Sequence, residues 1–468
     1  MDEAAQLNVV REFEGSTLGD VRRRDRLQKL AQSLARDPTA SFPAATKTHA
    51  ALEAAYRLLR NKSVSMEEIL VGHYAQTVER AAIESVVLAV HDTTAFKFTG
   101  NRQGLAPLHG RGQGFLGHFT LLVQPGEARL PLGVIAAQTW VRPKSGKKAK
   151  KRGKKAKKKK IITGQSLEAS RWKKGAAKAE ERVGGKCAVI HVMDREGDSY
   201  DLWAELLTAE SRFVIRNSRQ RKLENGEALS DVVERATTVI EREVQLSGRR
   251  AVNDLFHRQR NPARESRLAR LALSAQSVTL PRPLTCAANL PATIQVNFVH
   301  VREIDTNGSE PPVDWMLATT EPIESVADIE RVVDIYRSRW VIEEYFKALK
   351  TGCGYEQRQL ESEHTLTNAL GLLVPIAWQL LLLRSLSRDS EDAPATKVLT
   401  ETQLSVLASF SKKLPSKPTV REAMLAIAEL GGHIKNNGEP GWLVLGRGFQ
   451  FLLAMEQGWK ARERSDQS

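Results

Sequence analysis

Two apolar runs that each close on an aspartate constrain this chain most: VVLAVHD over 86–92 and AVIHVMD over 188–194. Each run is too short for a typical helix and is bounded by polar segments, so it reads as a buried strand that reaches a site at its tip. The first strand is expected over Val86–Val90, ending at His91-Asp92. The second is expected over Ala188–Met193, ending at Asp194, with a helix beginning near Asp198. Between them GHFTLLV, the turn QPGE and LPLGVIAAQTW form a hairpin, followed by a lysine-rich loop and a helix near 166–183.

The order strand, hairpin, helix, strand resembles the ribonuclease H-like fold, an α/β core around a mixed sheet. Residues 1–70 read as a small helical domain. Asp20 is placed to cap VRRRDRLQKLAQSLARD, where Leu27, Leu30, Ala31 and Leu34 form an apolar stripe opposite a basic face. THAALEAAYRLLRN repeats the pattern, with Leu52, Ala55, Tyr56 and Leu59 inside and Arg57 and Arg60 outside. A small basic helical domain of this kind is expected to bind DNA. In 217–320, TIQVNFVHV alternates Ile294, Val296 and Phe298 with Thr293, Gln295 and Asn297, the period of half-buried strands. The expected layout is a helical DNA-binding domain over 1–70, a catalytic core over 71–386 with a β-rich insertion at 217–320, and a helical C-terminal domain over 387–468.

Of the 468 residues, 70 are Lys or Arg and 55 Asp or Glu, a net charge of +15 that favours a polyanionic partner. Lys144–Lys160 alone carries 12 of those charges and no acid, leaving +3 for the remainder. Such a run reads as a solvated loop that can hold phosphates non-specifically through counterion release. Cys187, Cys286 and Cys353 are scattered without a CxxC pair, which argues against a zinc site or a disulfide framework and fits a reducing cytoplasm. The N-terminal stretch has no signal-like pattern, and the longest apolar run, Ala369–Leu383, is 15 residues and reads as too short to span a bilayer. No membrane association is expected, and the localisation expected is the bacterial cytoplasm, associated with the nucleoid.

In YRSRWVIEEYFKALKTG, Tyr336, Arg339, Glu343, Lys347 and Lys350 recur at helical spacing and share one face of a single expected helix. Ile335, Ile342, Tyr345, Phe346 and Leu349 form the adjoining apolar stripe, and Glu344 points about 100° away from Glu343. Taken locally, Glu343 could be no more than one partner of a surface pair with Lys347. If Asp92 and Asp194 end neighbouring strands and Glu343 covers their tips, the three carboxylates repel, by about 4 kcal/mol for each pair at 4 Å and an effective dielectric of 20. A cation then has to be present, and oxygen-only ligands favour Mg²⁺ or Mn²⁺.

HDTT around Asp92, DREGD around Asp194 and the spacing Tyr-(2)-Arg-(3)-Glu-(6)-Lys resemble the DDE cut-and-paste transposases of the insertion-sequence-four family, among them the Tn-five type. The resemblance extends to LGDVRRRDRL, AAYRLLRN, RFVIRN, DWMLATTEP and GEPGW, nearly end to end. It implies a catalytic triad of Asp92, Asp194 and Glu343 holding two Mg²⁺ ions, with Mn²⁺ as a substitute. It implies that Tyr336, Arg339 and Lys350 grip the DNA backbone, that Trp315 stacks on a flipped-out base and that Arg216 stands beside that base. It further implies double-stranded DNA partners, both transposon ends and target, and a homodimeric synaptic complex joined by C-terminal helices, here Gly446–Trp459. The rival reading is a binding-only, inhibitory relative that does not cut.

Overall fold

Caps and an apolar stripe start the N-terminal helices. Asp20 accepts from the Arg22 amide and caps α1 (Val21–Arg36), satisfying one of the donors a helix start leaves orphaned. Leu27, Leu30, Ala31 and Leu34 are all buried, as their spacing predicts. Helices α2 (Phe42–Ala45), α3 (His49–Arg60) and α4 (Met66–Ala81) follow, the last opened by a capping box between Ser65 and Glu68. A buried polar clasp joins the chain ahead of α1 to α4: Glu12 bonds His73 Nδ1 and Arg80, while His73 Nε2 accepts from the Val134 amide at 3.0 Å. With Nε2 accepting, the His73 proton sits on Nδ1 and points at Glu12.

The computed structural model describes residues 9–46, 48–108, 112–142, 170–246, 265–305, 312–389, 393–411, 414–434 and 440–465. They divide into a larger unit, Met1–Ala188 with Trp340–Ser468, and a smaller one, Val189–Arg339. The lysine-rich segment Lys144–Lys160 lies outside the described residues, as does the start of the GEPGW segment.

In the larger unit α4 leads into β1 (Val86–Phe98), β2 (Ala106–Pro107), β3 (Gln113–Val123) and β4 (Pro131–Trp140), all antiparallel to β3. The expected hairpin is β3 and β4. The expected end of β1 is not: pairing with β3 runs from Leu88↔Val123 to Phe98↔Gln113, so the ladder satisfies the backbone for six residues past Asp92 and leaves that acid inside the strand. Residues 170–183 are helical, here α5, and match the described part of the helix expected near 166–183.

The smaller unit is a mixed sheet with helices. It contains β5 (Ala188–Met193), α6 (Tyr200–Thr208), β6 (Arg212–Asn217), α7 (Leu229–Glu234), β7 (Thr238–Leu246), β8 (Arg267–Pro281), β9 (Thr293–Ile304), β10 (Asp314–Thr319) and α8 (Val326–Arg337). Strand order is β5-β6-β10-β9-β8-β7, with β5 and β6 parallel and the rest antiparallel. The alternation in β9 is as expected: Ile294, Val296 and Phe298 are buried, and Thr293 and Gln295 are exposed. Helix α6 starts at Tyr200 under a Ser199 cap, because Asp198 is bonded elsewhere.

The chain then returns to the larger unit through α9 (Trp340–Lys347), α10 (Glu363–Asp389), α11 (Glu401–Phe410), α12 (Val420–Leu430) and α13 (Trp442–Ser465). The single helix expected over Tyr336–Gly352 is instead interrupted. The Arg339 amide bonds the Tyr336 carbonyl three residues back at 3.0 Å, and the Ser338 hydroxyl takes the Asp334 carbonyl at 3.1 Å. That tightening ends α8, and after α9 the chain widens into a π turn over Ala348–Gly352. Tyr336, Arg339, Glu343 and Lys350 therefore do not share one continuous helical face. Helix α10 also departs from expectation: polar residues extend it beyond the apolar run at both ends, making Glu363–Leu386 long and apolar enough to cross a membrane by length and composition. Its apolar window is wholly buried in the protein, the setting of a core helix.

Candidate active site

In the larger unit, α9 packs over β1 and β3, with the Phe346 and Tyr345 rings 5.6 and 6.0 Å from Phe119. Asp92 is the register partner of Phe119, so its side chain faces the side that α9 covers. It is half-buried, and its Oδ1 accepts from the Thr93 amide at 2.7 Å. Glu343 lies half-buried in the first turn of α9, where the helix dipole favours an anion. Its neighbour Glu344 accepts from Arg388 with both oxygens at 3.1 Å, an ion pair between α9 and α10. The two adjacent glutamates thus differ in what holds them: Glu344 is tied to α10 through Arg388, and Glu343 stands about 100° round the helix from it.

Lys350 stands in the π turn. Its Nζ donates to the Ala95 carbonyl at 2.7 Å, lies 3.8 Å from Glu356 and sits 5.4 Å above the Phe96 ring. Burial lowers its pKa and Lys97 lowers it further, while Glu356 and Asp92 act the other way. Lys350 is thereby anchored to the strand that carries Asp92.

The smaller unit holds a different assembly. Asp194 follows β5 and caps the short turn Arg195–Gly197, accepting from the Glu196 amide at 2.8 Å. Trp315 on β10 is partly exposed, its ring 5.4 Å from Tyr336 in an edge-on arrangement and 6.0 Å from the Arg216 guanidinium. Arg216 also hydrogen-bonds Tyr336 and donates to the Asp314 carbonyl at 3.0 Å. Burial raises the Tyr336 pKa and Asp194 adds to it, whereas Arg339 and Arg216 pull it down. Burial lowers the pKa of Arg216, assisted by Arg195 and Arg339. Three guanidiniums, one phenol, one indole and Asp194 therefore interact in one neighbourhood, a chemistry suited to a phosphodiester and an unstacked base.

Two features were not anticipated. Asp198 is fully buried and accepts from the Ser218 and Arg219 amides at 2.6 and 2.7 Å and from Arg221, whose guanidinium lies 4.3 Å over Trp203. It ties the loop after Asp194 to the exit of β6. The second is a polar cluster behind Asp92: Thr93 Oγ1 bonds His118 Nδ1 and Arg171 Nε, each at 2.9 Å, and Thr120 Oγ1 bonds His91 Nδ1 at 3.0 Å. Burial, with Arg171 nearby, takes the His118 pKa down to about 3. The signal for this cluster was present in the alternation of polar residues along HDTT and in FLGHFT, on strands otherwise apolar.

Among the described residues, no three His, Cys, Asp or Glu side chains are gathered so as to hold a metal ion. The donor chemistry of Asp92, Asp194 and Glu343 nevertheless fits a hard divalent cation, since each offers carboxylate oxygens and none is fully buried.

Residues 8–64 match a family model described as "Transposase DNA-binding", and residues 129–378 match one described as "Transposase DDE domain". Asp194 and Glu343 lie within the second match, and Asp92 precedes it. Among solved structures, the chain is similar to the piggyBac transposase synaptic complex with hairpin DNA, at 11% identity and a TM-score of 0.37, covering 79% of this chain and 67% of that one.

Proposed function

We propose that this chain, which belongs to the DDE transposase family, binds the inverted repeats at the ends of its own element and moves that element by cut-and-paste transposition. On this reading it is an insertion-sequence-four-type enzyme of the Tn-five kind with a ribonuclease H-like core. The observation that carries the reading is the Arg216–Trp315–Tyr336 group, a partly exposed indole flanked by a guanidinium and a phenol. A hairpin at a cleaved DNA end strains its terminal stack, and an aromatic receptor for the displaced base offsets an unstacking cost of a few kcal/mol.

Asp92, Asp194 and Glu343 would hold two Mg²⁺ ions, with Mn²⁺ as a substitute. When bound, the cations supply charge stabilisation for in-line displacement at phosphorus. The protein's own residues would do the rest. Tyr336, Arg339 and Lys350 would hold the DNA backbone near the end, Trp315 would receive the flipped base with Arg216 beside it, and Lys350 also bonds the Ala95 carbonyl of β1. The order of events would be nicking to expose a 3′-hydroxyl, attack by that hydroxyl on the opposite strand to give a hairpin, hydrolysis of the hairpin and strand transfer. All are the same displacement with a different nucleophile. The N-terminal helices would read the ends, and α13, which exposes Phe451 and Trp459, would join two copies in the synaptic complex.

The test is linear DNA bearing the element's ends, incubated with Mg²⁺ and either the natural protein or Glu343→Gln and resolved on a denaturing gel. End-specific nicks and hairpins from the natural protein alone are expected. Binding without cleavage in Mg²⁺ and in Mn²⁺ by both proteins would leave the inhibitory, binding-only role.

A further inference from the structure

The polar cluster behind Asp92 has a direct line to it. Arg171 Nε can only donate, so Thr93 Oγ1 accepts from it at 2.9 Å, and the same hydroxyl is hydrogen-bonded to His118 Nδ1, also at 2.9 Å. Thr93 is thus fixed from two sides. Its backbone amide in turn donates to Asp92 Oδ1 at 2.7 Å, a contact that constrains the aspartate side chain against the peptide joining the two residues.

The supports of this cluster are themselves locked. The Trp172 ring meets His118 edge-on at 4.7 Å, and His118 stacks on His91 at 5.8 Å. The Arg171 guanidinium lies 5.5 Å from the Trp172 ring and 5.7 Å from the Trp140 ring. Gly175 lets α5 come down onto the histidines: a Cβ there would stand 3.1 Å from both His118 Nε2 and His91 Nδ1, tighter than side chains normally pack. His91, His118, Thr120 and Trp172 are each no more than 2% exposed. The cluster on one face of β1 therefore holds the residue whose backbone amide bonds the acid on the other face.

We infer that Thr93, clamped by Arg171 and His118, is a positioning residue that sets the orientation of the Asp92 carboxylate for the divalent cation. The inference rests on the proposed metal role of Asp92. Removing an outer hydrogen-bond partner of a metal ligand typically weakens metal binding by about 10–100-fold; here that partner is the Thr93 amide, so releasing the Thr93 side chain acts only through the placement of that amide and is expected to cost less. The test is Mn²⁺ binding to the full-length protein without DNA, followed by electron paramagnetic resonance, with the melting temperature of each variant recorded alongside. Thr93→Val, which keeps the shape and the amide but not the hydroxyl, is expected to weaken Mn²⁺ binding a few-fold, below the roughly tenfold that loss of the partner itself would bring, and Thr93→Ser to restore it. Arg171→Gln loosens the Thr93 side chain from the other side and is expected to weaken binding in the same direction but by less than Thr93→Val, so the inference does not hang on one variant.

Undiminished Mn²⁺ binding in both Thr93→Val and Arg171→Gln overturns the inference. So does an equal loss in Thr93→Val and Thr93→Ser that tracks their melting temperatures, since that is the mark of packing alone. Asp92→Asn separates the two levels. If it loses Mn²⁺ while Thr93→Val does not, only the positioning role fails; if it binds Mn²⁺ as the natural protein does, the metal role of Asp92 falls and this inference with it.

Discussion

Asp92 and Asp194 close nearly the same sequence pattern, VVLAVHD and AVIHVMD, yet their surroundings differ in kind. Asp92 lies within a continuing strand, and what stands behind it is a buried hydrogen-bonded cluster of Thr93, His118, His91 and Thr120 that the Arg171 guanidinium joins. Asp194 lies past the end of its strand, in a capped turn, and acts on Tyr336 together with Arg339 and Arg216, while Arg195 and Arg339 act on Arg216. The first carboxylate is held by geometry and the second stands among charges. An apolar run ending in aspartate thus signals that an acid emerges from a sheet, but not how the protein holds it.

The contrast breaks most visibly at Asp198. This residue braces the Asp194 loop by a buried ion pair and two amide contacts, so Asp198→Ala strands the Arg221 charge over Trp203 and leaves the Ser218 and Arg219 amides without their acceptor. Removing one partner of a buried pair costs roughly 3–5 kcal/mol. Urea unfolding should register a loss of that size. A loss below about 1 kcal/mol would mean that the Asp194 loop does not depend on this brace.

Acid should search out the other region. His118 titrates near 6.5 when unfolded and about 3 when folded, so between those values the unfolded chain binds more protons and stability rises with pH. The contribution is complete above the unfolded value and is lost as pH falls from about 6.5 towards 3. From pH 7 to pH 5 the loss from His118 alone should be on the order of 2 kcal/mol. His73, whose pKa burial also lowers, and Glu12, which Arg80 and His73 hold low against the effect of burial, add losses of the same sign. Denaturation midpoints at the two pH values, compared with those of His118→Gln, isolate the His118 share; an unchanged slope in the variant would show that the cluster behind Asp92 is not the acid-sensitive element.

How much of this was legible depended on whether the signal was local. The period-two burial of Ile294, Val296 and Phe298 follows from side-chain alternation alone, and the sequence predicts it. The length of β1 does not follow, because whether a strand stops at Asp92 depends on β3 still offering partners, and those come from residues 113–119. The interruption at Ser338 and Arg339 was hidden for a similar reason: both residues tolerate a helix, and the break is set by which carbonyls they bond. Asp198 reads as a helix cap from its position before Ser199 and Tyr200. Only the structure reveals that amides some 20 residues later claim its oxygens first.

The smallest effect sharpens the comparison at the level of single atoms, because Glu343 and Glu344 are adjacent, chemically identical and both half-buried. Glu344 is committed to Arg388, and the side chains of that pair are 21% and 34% exposed, so solvent screens much of their attraction. Glu344→Gln should therefore cost less than about 1 kcal/mol of stability and leave end cleavage within about twofold of the natural protein. Glu343→Gln should leave stability similarly untouched while abolishing cleavage, since the proposed role of that carboxylate is to stabilise charge during displacement. A denaturing gel run beside a thermal melt reads both variants. If Glu344→Gln abolished cleavage as well, the Arg388 pair would have to be setting the orientation of α9, and the division between a packing glutamate and a reacting one would give way to a single coupled pair.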